Sequence, residues 1–170
     1  MVTLMDRKLS VVAVVVFAAV LGGCGVGVRA DASKGIARFL AAAHRGDRAA
    51  FEAALDREAL RADLHDQVAA LGRGSVLDID GGPSEFALDR MISPKAFKLV
   101  EARTGQVLPI APTAAQVAPL LKVRDRRHVC LATPGRDRCV LSFAREKGAW
   151  RLVGMQATDL RIEVPAPANK

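Results

Sequence analysis

The N-terminal segment limits most strongly what this chain can fold into. Arg7 and Lys8 precede an apolar run of 13 residues, Leu9–Leu21, and this order of charge and hydrophobicity is typical of an export signal. A helix that crosses a membrane needs about 20 apolar residues. The run is too short for a permanent span, so we expect residues 1–23 to be a signal peptide. The fold must then form from the remaining 147 of the 170 residues.

Small residues lie directly before the first cysteine, in Leu21-Gly22-Gly23-Cys24. This segment resembles the lipobox of bacterial lipoproteins, in which the cysteine is lipidated and becomes the mature N-terminus. The resemblance implies a membrane anchor of acyl chains, such as palmitate, on Cys24. Gly25 follows, and in Gram-negative lipoproteins a residue other than aspartate there usually permits transfer to the outer membrane, facing the periplasm. The alternative is ordinary cleavage after Val28-Arg29-Ala30, which would release a soluble secreted protein.

The chain that would remain after processing at Cys24 is basic, with 23 basic and 17 acidic residues and a formal charge of +6. In an exported protein this charge favours anionic lipid or an acidic envelope polymer as a partner. An arginine-rich, solvated surface would explain the same composition without a partner. There is one tryptophan and no tyrosine, so an aromatic platform for nucleic-acid bases is not indicated and no nucleic-acid partner is expected.

The other two cysteines predict a disulfide. With Cys24 assigned to the lipid, Cys130 and Cys139 remain in an oxidising compartment, and Pro134-Gly135 lies midway between them. A two-residue turn there would make them a directly facing pair whose linkage stabilises the hairpin by about 2–3 kcal/mol. A three-residue turn with a bulge would shift the pairing by one residue. A metal site is not expected, because only His128 lies near.

Helical periodicity and capping residues organise the first part of the chain. The first helix is predicted to start at Ser33 and to end at Gly46. Asp47 and Asp56 are expected to cap two further helices, and Gly72 ends the second of these.

The middle of the chain carries weaker signals. Residues 76–79 are compatible with a short strand, and Ser84 is expected to start a helical turn. Ser93-Pro94 predicts a helix that ends at Gly105, and Thr113 predicts a short helix after it.

The last part of the chain changes to strand-like runs at residues 122–132, 137–146 and 149–163, with turns at Pro134-Gly135 and Lys147-Gly148. Helices followed by an antiparallel β-meander predict an α+β fold, with a curved sheet as one form of it, in which the helices cover the apolar face of the sheet.

The domain boundaries follow from this pattern. Residues 24–32 are small and without periodicity, and we expect them to form a tether. A single α+β domain is predicted for residues 33–164. The prolines that follow predict a flexible tail over residues 165–170.

Three segments resemble the domain-of-unknown-function 2939 family of exported bacterial proteins: Phe39–Leu64, Asp89–Pro94 and Leu141–Val153 with its tryptophan. The order of helices and a closing sheet also looks like the cone-shaped NTF2-like architecture. That architecture hosts both binding proteins and enzymes, so the resemblance implies a fold without implying a chemistry.

A basic stretch is the strongest candidate for an interaction surface. Lys122, Arg124, Arg126 and His128 alternate along one face of the predicted strand, where they could contact anionic head groups or polymer. An edge strand protected from aggregation by its charges is the alternative.

Asp125 and His128 form the best candidate for proton transfer, but in a strand their side chains point to opposite faces. No catalytic residue, metal or cofactor is therefore assigned. We expect a membrane-tethered binding domain, with an NTF2-like small-molecule enzyme as one alternative. A hollow under the sheet would accept a small lipophilic ligand, whereas a purely partner-binding lipoprotein would show an exposed apolar patch.

Overall fold

The computed structural model describes residues 6–72, 84–133, 138–157 and 160–166, with side chains from residue 25 onward. The predicted strand at 76–79, the predicted turn at Pro134-Gly135 and the end of the predicted tail lie outside these residues.

The described helices and strands alternate little along the chain, since most helices come first. The α-helices are α1 (Asp6–Arg45), α2 (Arg48–Ala53), α3 (Arg57–Gly72), α4 (Glu85–Met91) and α5 (Ala114–Val117). Short 3-10 helices cover Pro94–Ala96 and Ala118–Leu120. The strands are β1 (Lys98–Glu101), β2 (Leu121–Val123), β3 (His128–Ala132), β4 (Cys139–Glu146), β5 (Ala149–Met155) and β6 (Arg161–Val164).

The main sheet is an antiparallel meander in the order β2-β3-β4-β5. The predicted α+β class is therefore confirmed at this level. The predicted strand over 149–163 is wrong in extent, because it divides into β5 and β6. Strand β6 leaves the meander and pairs in parallel with β1, with Lys98 opposite Arg161. This pairing joins segments about 60 residues apart, and no local pattern announces it.

Four phenylalanines fill the space between α1 and the sheet. Phe39 of α1 lies 5.3 Å from Phe51, 5.4 Å from Phe97 and 5.5 Å from Phe143, measured between ring centroids. Burying one such ring stabilises the fold by about 1.5–3 kcal/mol. The face of the sheet that could have enclosed a hollow is packed with side chains at this cluster.

The predicted capping residues are confirmed at four helix starts. Each side chain accepts a hydrogen bond from the backbone N–H three residues later, and the four residues are Asp47, Asp56, Ser84 and Thr113. Thr113 also forms a capping box with Gln116. A cap depends only on neighbouring residues, and all four caps occur at the predicted residues.

The start of the first helix differs from the prediction. Ser33 lies inside α1 and its Oγ donates to the carbonyl of Ala30 at 3.0 Å, so it is not a cap. Residues 24–32, expected as a tether with little to bury, are helical, and Ala32 is fully buried. No proline occurs between Lys8 and Gly46, so nothing interrupts the i→i−4 hydrogen bonds.

The helix predicted from Ser93-Pro94 to Gly105 is also wrong. Only one 3-10 turn forms, and Ser93 makes no side-chain cap. The chain then enters β1, because Leu99 and Val100 are buried when β1 pairs with β6. Tertiary pairing thus overrides the helical start signal. Over the described parts of the chain, no helix combines the length and the hydropathy needed to cross a membrane.

Candidate basic surface at the hairpin tips

The predicted strand over 122–132 is two strands joined by a tight turn at residues 124–127. Asp125 holds this turn, since its Oδ1 accepts hydrogen bonds from the backbone N–H groups of Arg127 at 2.6 Å and His128 at 2.8 Å. The backbone N–H groups of Arg124 and Asp125 in turn donate to the carbonyl of His128. Across this hairpin, Leu121 therefore lies opposite Leu131, and Val123 lies opposite Val129.

The expectation that Asp125 and His128 point to opposite faces is wrong, because Asp125 lies in a turn. Its Oδ2 lies 2.9 Å from His128 Nδ1. The hydrogen bond from the backbone of Arg127 and the contact with His128 hold the pKa of Asp125 below its usual value. Both side chains are more than half exposed, at 57% for Asp125 and 54% for His128. The contact fixes the turn in water, and we assign no catalysis to it.

The second turn of interest joins β4 to β5. Lys147 and Gly148 have φ angles of 47° and 84°, as the two central residues of a tight hairpin turn require. The predicted turn at Lys147-Gly148 is therefore confirmed.

These two turns lie at the same end of the sheet and form one basic cleft. The backbone N–H of Arg145 donates to the carbonyl of Arg127 at 2.7 Å, which links β4 to the first turn. The cleft, here called the tip cleft, has a volume of about 650 Å³ and is lined by Arg126, Arg127, Arg145, Glu146, Lys147 and Gly148. Its lining has four cations and one carboxylate. Glu146 itself lies 3.8 Å from Arg151.

The predicted basic set is only partly brought together. Arg126 lines the tip cleft, while Arg124 points its Nη2 toward Cys139 Sγ at 3.3 Å. Lys122 lies in β2, and His128 is held by Asp125. The four residues do not alternate along one strand face, because a turn separates the strands that carry Lys122 and His128.

Three cations of the tip cleft were missed by the sequence analysis: Arg127, Arg145 and Lys147. The confirmed turn at Lys147-Gly148 was a usable signal, since it marks one end of the sheet. The turn at residues 124–127 was not predictable, because this charged segment contains neither glycine nor proline. Without this turn, the cleft could not be placed.

The predicted disulfide between Cys130 and Cys139 is present, with Cα atoms 5.6 Å apart. The predicted register is wrong, because Cys130 lies opposite Ser142 and Cys139 lies opposite Ala132. The pairing of Ala132 with Cys139 already differs from the predicted register by two residues, and a bulge that adds Val140 to β4 shifts it by one more, so the disulfide crosses the two strands diagonally. It fastens the end of the hairpin away from the tip cleft.

Helix α1 is fixed to the same end of the sheet as the tip cleft. Asp31 Oδ2 accepts a hydrogen bond from Trp150 Nε1 at 2.9 Å and lies 3.4 Å from Arg145 Nη2. The indole ring lies so close to α1 that a Cβ atom at Gly35 would be 3.0 Å from Trp150 Cδ1. Cys24 precedes Asp31 by seven residues in α1, a distance of about 10 Å at 1.5 Å per residue.

Strand β5 forms one edge of the main sheet, and other parts of the chain cover this edge, so no added strand can pair with it there. The backbone of Leu152 exchanges hydrogen bonds with Ala54 and Asp56, both at 2.9 Å. Farther along, Asp63 Oδ2 accepts from the N–H of Met155 at 3.0 Å. These contacts satisfy the edge from α3 and the segment before it.

A second basic cleft lies beyond the other end of α1, where Gly46 turns the chain into α2. It is lined by Arg48, Phe86, Asp89, Arg90, Ser93, Lys95 and Ala96, and we call it the far cleft. Residue 45 is 14 residues after Asp31, or about 20 Å along the helix.

Two observations bear on cofactors and relatives. Where the structure describes the chain, no group of three or more His, Cys, Asp or Glu side chains is placed to hold a metal ion.

Comparison of the chain with models of protein families, with curated proteins and with solved structures finds no match.

Proposed function

We propose that this chain is an exported lipoprotein, anchored through a lipid on Cys24, whose α+β domain acts at the membrane surface by binding. The lipobox-like segment Leu21–Cys24 supports the anchor, and the contact of Asp31 with Trp150 and Arg145 carries the placement of the domain at the membrane surface. It fixes the domain to α1 only about 10 Å along the helix from Cys24. A lipid at that cysteine would therefore keep the domain at the membrane surface, on the side from which α1 emerges. An outer-membrane location facing the periplasm remains part of the proposal through Gly25.

Binding is favoured over catalysis by the character of the polar clusters. Asp125 and His128, the pair that an NTF2-like enzyme would need in one pocket, are exposed in a turn and hold its backbone. The tip cleft is open and basic, as suits an anionic partner rather than a reaction that needs exclusion of water.

The packing of the sheet favours a surface partner over a ligand held inside. Phe39, Phe51 and Phe143 are buried where a hollow under the sheet would lie, and each is at most 2% exposed. A small lipophilic ligand at this place would have to displace them, so we place the proposed contact on the tip cleft.

An NTF2-like architecture and the kinship with the exported family of unknown function are proposals of the same kind. They are supported by the long helix α1 packed against an antiparallel meander and by the capped helices at Asp47 and Asp56. The parallel pair of β1 and β6 is an addition that the resemblance did not imply.

The anchoring is tested by labelling bacteria that express the full chain with a clickable palmitate analogue. We expect label on the wild-type chain and recovery in the membrane fraction, and loss of both in Cys24→Ala. A Cys130→Ala/Cys139→Ala chain is the control, because it keeps Cys24 and should keep the label. A mature protein whose mass begins at Asp31, without acyl chains, would overturn the proposal in favour of ordinary cleavage.

A further inference from the structure

We infer that the tip cleft binds the phosphate groups of anionic lipids in the membrane that holds the anchor. This inference rests on the proposed function and names the ligand class of the anchored domain. It concerns residues of two turns, Arg126, Arg127 and Lys147, together with Arg145 of β4.

The chemistry of the tip cleft fits a phosphodiester. Arginine presents a planar fork of donors to phosphate oxygens, and lysine adds a compact charge. Arg126, Arg127, Arg145 and Lys147 are all exposed. The cleft is open and about 650 Å³ in volume, so a lipid head group can enter it without rearrangement of the fold.

The position of the tip cleft selects the membrane as the source of that phosphate. Arg145 both lines the cleft and contacts Asp31, so the helix that leads to Cys24 leaves the domain at the rim of the cleft. A lipid on Cys24 would bring the cations to the surface of its own bilayer at high effective concentration. Contacts that are weak one at a time then suffice, as they do for other basic segments next to an anchor.

The far cleft provides the matched comparison. It carries three cations, Arg48, Arg90 and Lys95, against four in the tip cleft, and it lies beyond the C-terminal end of α1. Charge alone would let both clefts bind anionic lipid. The inference assigns the contact to the tip cleft only, because only the tip cleft adjoins the anchored end.

The test uses the lipidated mature protein, purified from membranes and inserted into vesicles that contain a dansyl-labelled lipid. Trp150 is the only tryptophan and there is no tyrosine, so energy transfer from protein to dansyl reports the distance of this residue from the head groups. Vesicles of phosphatidylcholine alone are compared with vesicles that also contain phosphatidylglycerol. The variants are Arg126→Gln/Arg127→Gln/Lys147→Asn for the tip cleft and Arg48→Gln/Arg90→Gln/Lys95→Gln for the far cleft.

The wild-type chain and the far-cleft variant should transfer more energy on phosphatidylglycerol vesicles than on neutral ones. The tip variant should lose this difference, since three cations near an anionic surface account for about a 100-fold change in the docked-to-undocked ratio. Lys147→Asn alone keeps the turn, because asparagine tolerates a positive φ, and should reduce the docked-to-undocked ratio about 5-fold.

Flotation of the vesicles in a density gradient is measured alongside energy transfer, and four results would overturn the inference. Equal losses in the tip and far-cleft variants would mean that charge acts without position. Removal of the difference by millimolar inorganic phosphate would point to a soluble phosphate ligand. A wild-type chain that floats with both kinds of vesicle but shows no difference between them would refute docking alone, whereas a chain that floats with neither would also refute the anchor.

Discussion

The two ends of α1 carry similar numbers of charges in different arrangements. Beyond Gly46, Arg57 and Arg61 converge on Asp89, with nitrogen–oxygen distances of 2.9 and 2.8 Å, and thereby join α3 to α4. At the Asp31 end, four cations line a cleft with one carboxylate. The comparison teaches that charges of the same kinds fasten two helices at one end and line an open cleft at the other, so the position of the cleft beside the anchored end, rather than the number of charges, separates the two surfaces.

The largest change in the free energy of unfolding should come from the contact between α1 and Trp150, beside the tip cleft. Trp150→Ala removes a nearly buried ring that packs on Gly35 and bonds Asp31, and should lower the free energy of unfolding by about 3–5 kcal/mol. Trp150→Phe keeps most of the packing and should cost about 1 kcal/mol. Urea unfolding followed by circular dichroism measures both. Equal losses below 1 kcal/mol would show that α1 is not held at this point.

The next effect separates the two ends of the β3–β4 hairpin. Cys130→Ala/Cys139→Ala should lower the free energy of unfolding by about 2–3 kcal/mol, because the disulfide restricts the unfolded chain. Since the disulfide lies away from the tip cleft, vesicle docking below the unfolding transition should stay within twofold of wild type. Loss of docking in the folded variant would show that the tip cleft depends on the disulfide.

A smaller effect is expected at the β4–β5 turn. Gly148→Ala places a side chain at φ 84° and should lower the free energy of unfolding by about 1–2 kcal/mol. Lys147→Asn, at φ 47°, should change it by less than about 0.5 kcal/mol or raise it slightly. Thermal unfolding distinguishes the two, and the reverse order would contradict the turn geometry.

The smallest effect compares one carboxylate at each end through its pH dependence. Hydrogen bonding by Arg61, with the charges of Arg61 and Arg57, lowers the pKa of Asp89. The hydrogen bond from the backbone of Arg127 and the contacts with His128 lower the pKa of Asp125. A depressed pKa stabilises the fold above the unfolded value of about 3.9, and this stability is lost as the pH falls through the folded value. Asp89→Asn and Asp125→Asn should each be less stable than wild type at pH 7, and the difference should shrink as the pH falls below about 3.9. A constant difference across this range would contradict the account.

The sequence predicted what depends on neighbouring residues. The caps at Asp47, Asp56, Ser84 and Thr113 and the turn at Lys147-Gly148 follow from short patterns, and the structure has them. The cysteine partners were predictable because only two cysteines remained in the domain. Their register was not predictable, because Ala132 and Cys139 pair across six intervening residues instead of a two-residue turn, and the bulge at Val140 has no local signature.

What the sequence left out depends on contacts between distant segments. Leu99 and Val100 become a strand only when β6 is present, about 60 residues later. The tip cleft arises because Asp125 folds a charged segment into a turn and Arg145 then lies beside it. The Asp31–Trp150 hydrogen bond spans 119 residues, and it is this bond that brings the anchored end to the basic end.

Hydrogen exchange on vesicles tests most directly whether the anchored end is the end that docks. The lipidated mature protein is compared on neutral and on phosphatidylglycerol vesicles, and amide exchange is followed by mass spectrometry at both ends of α1. The account predicts slower exchange at residues 124–127 and 147–148 on the anionic vesicles and no change in α4, which lines the far cleft. Protection of α4 without protection of the two turns would contradict it.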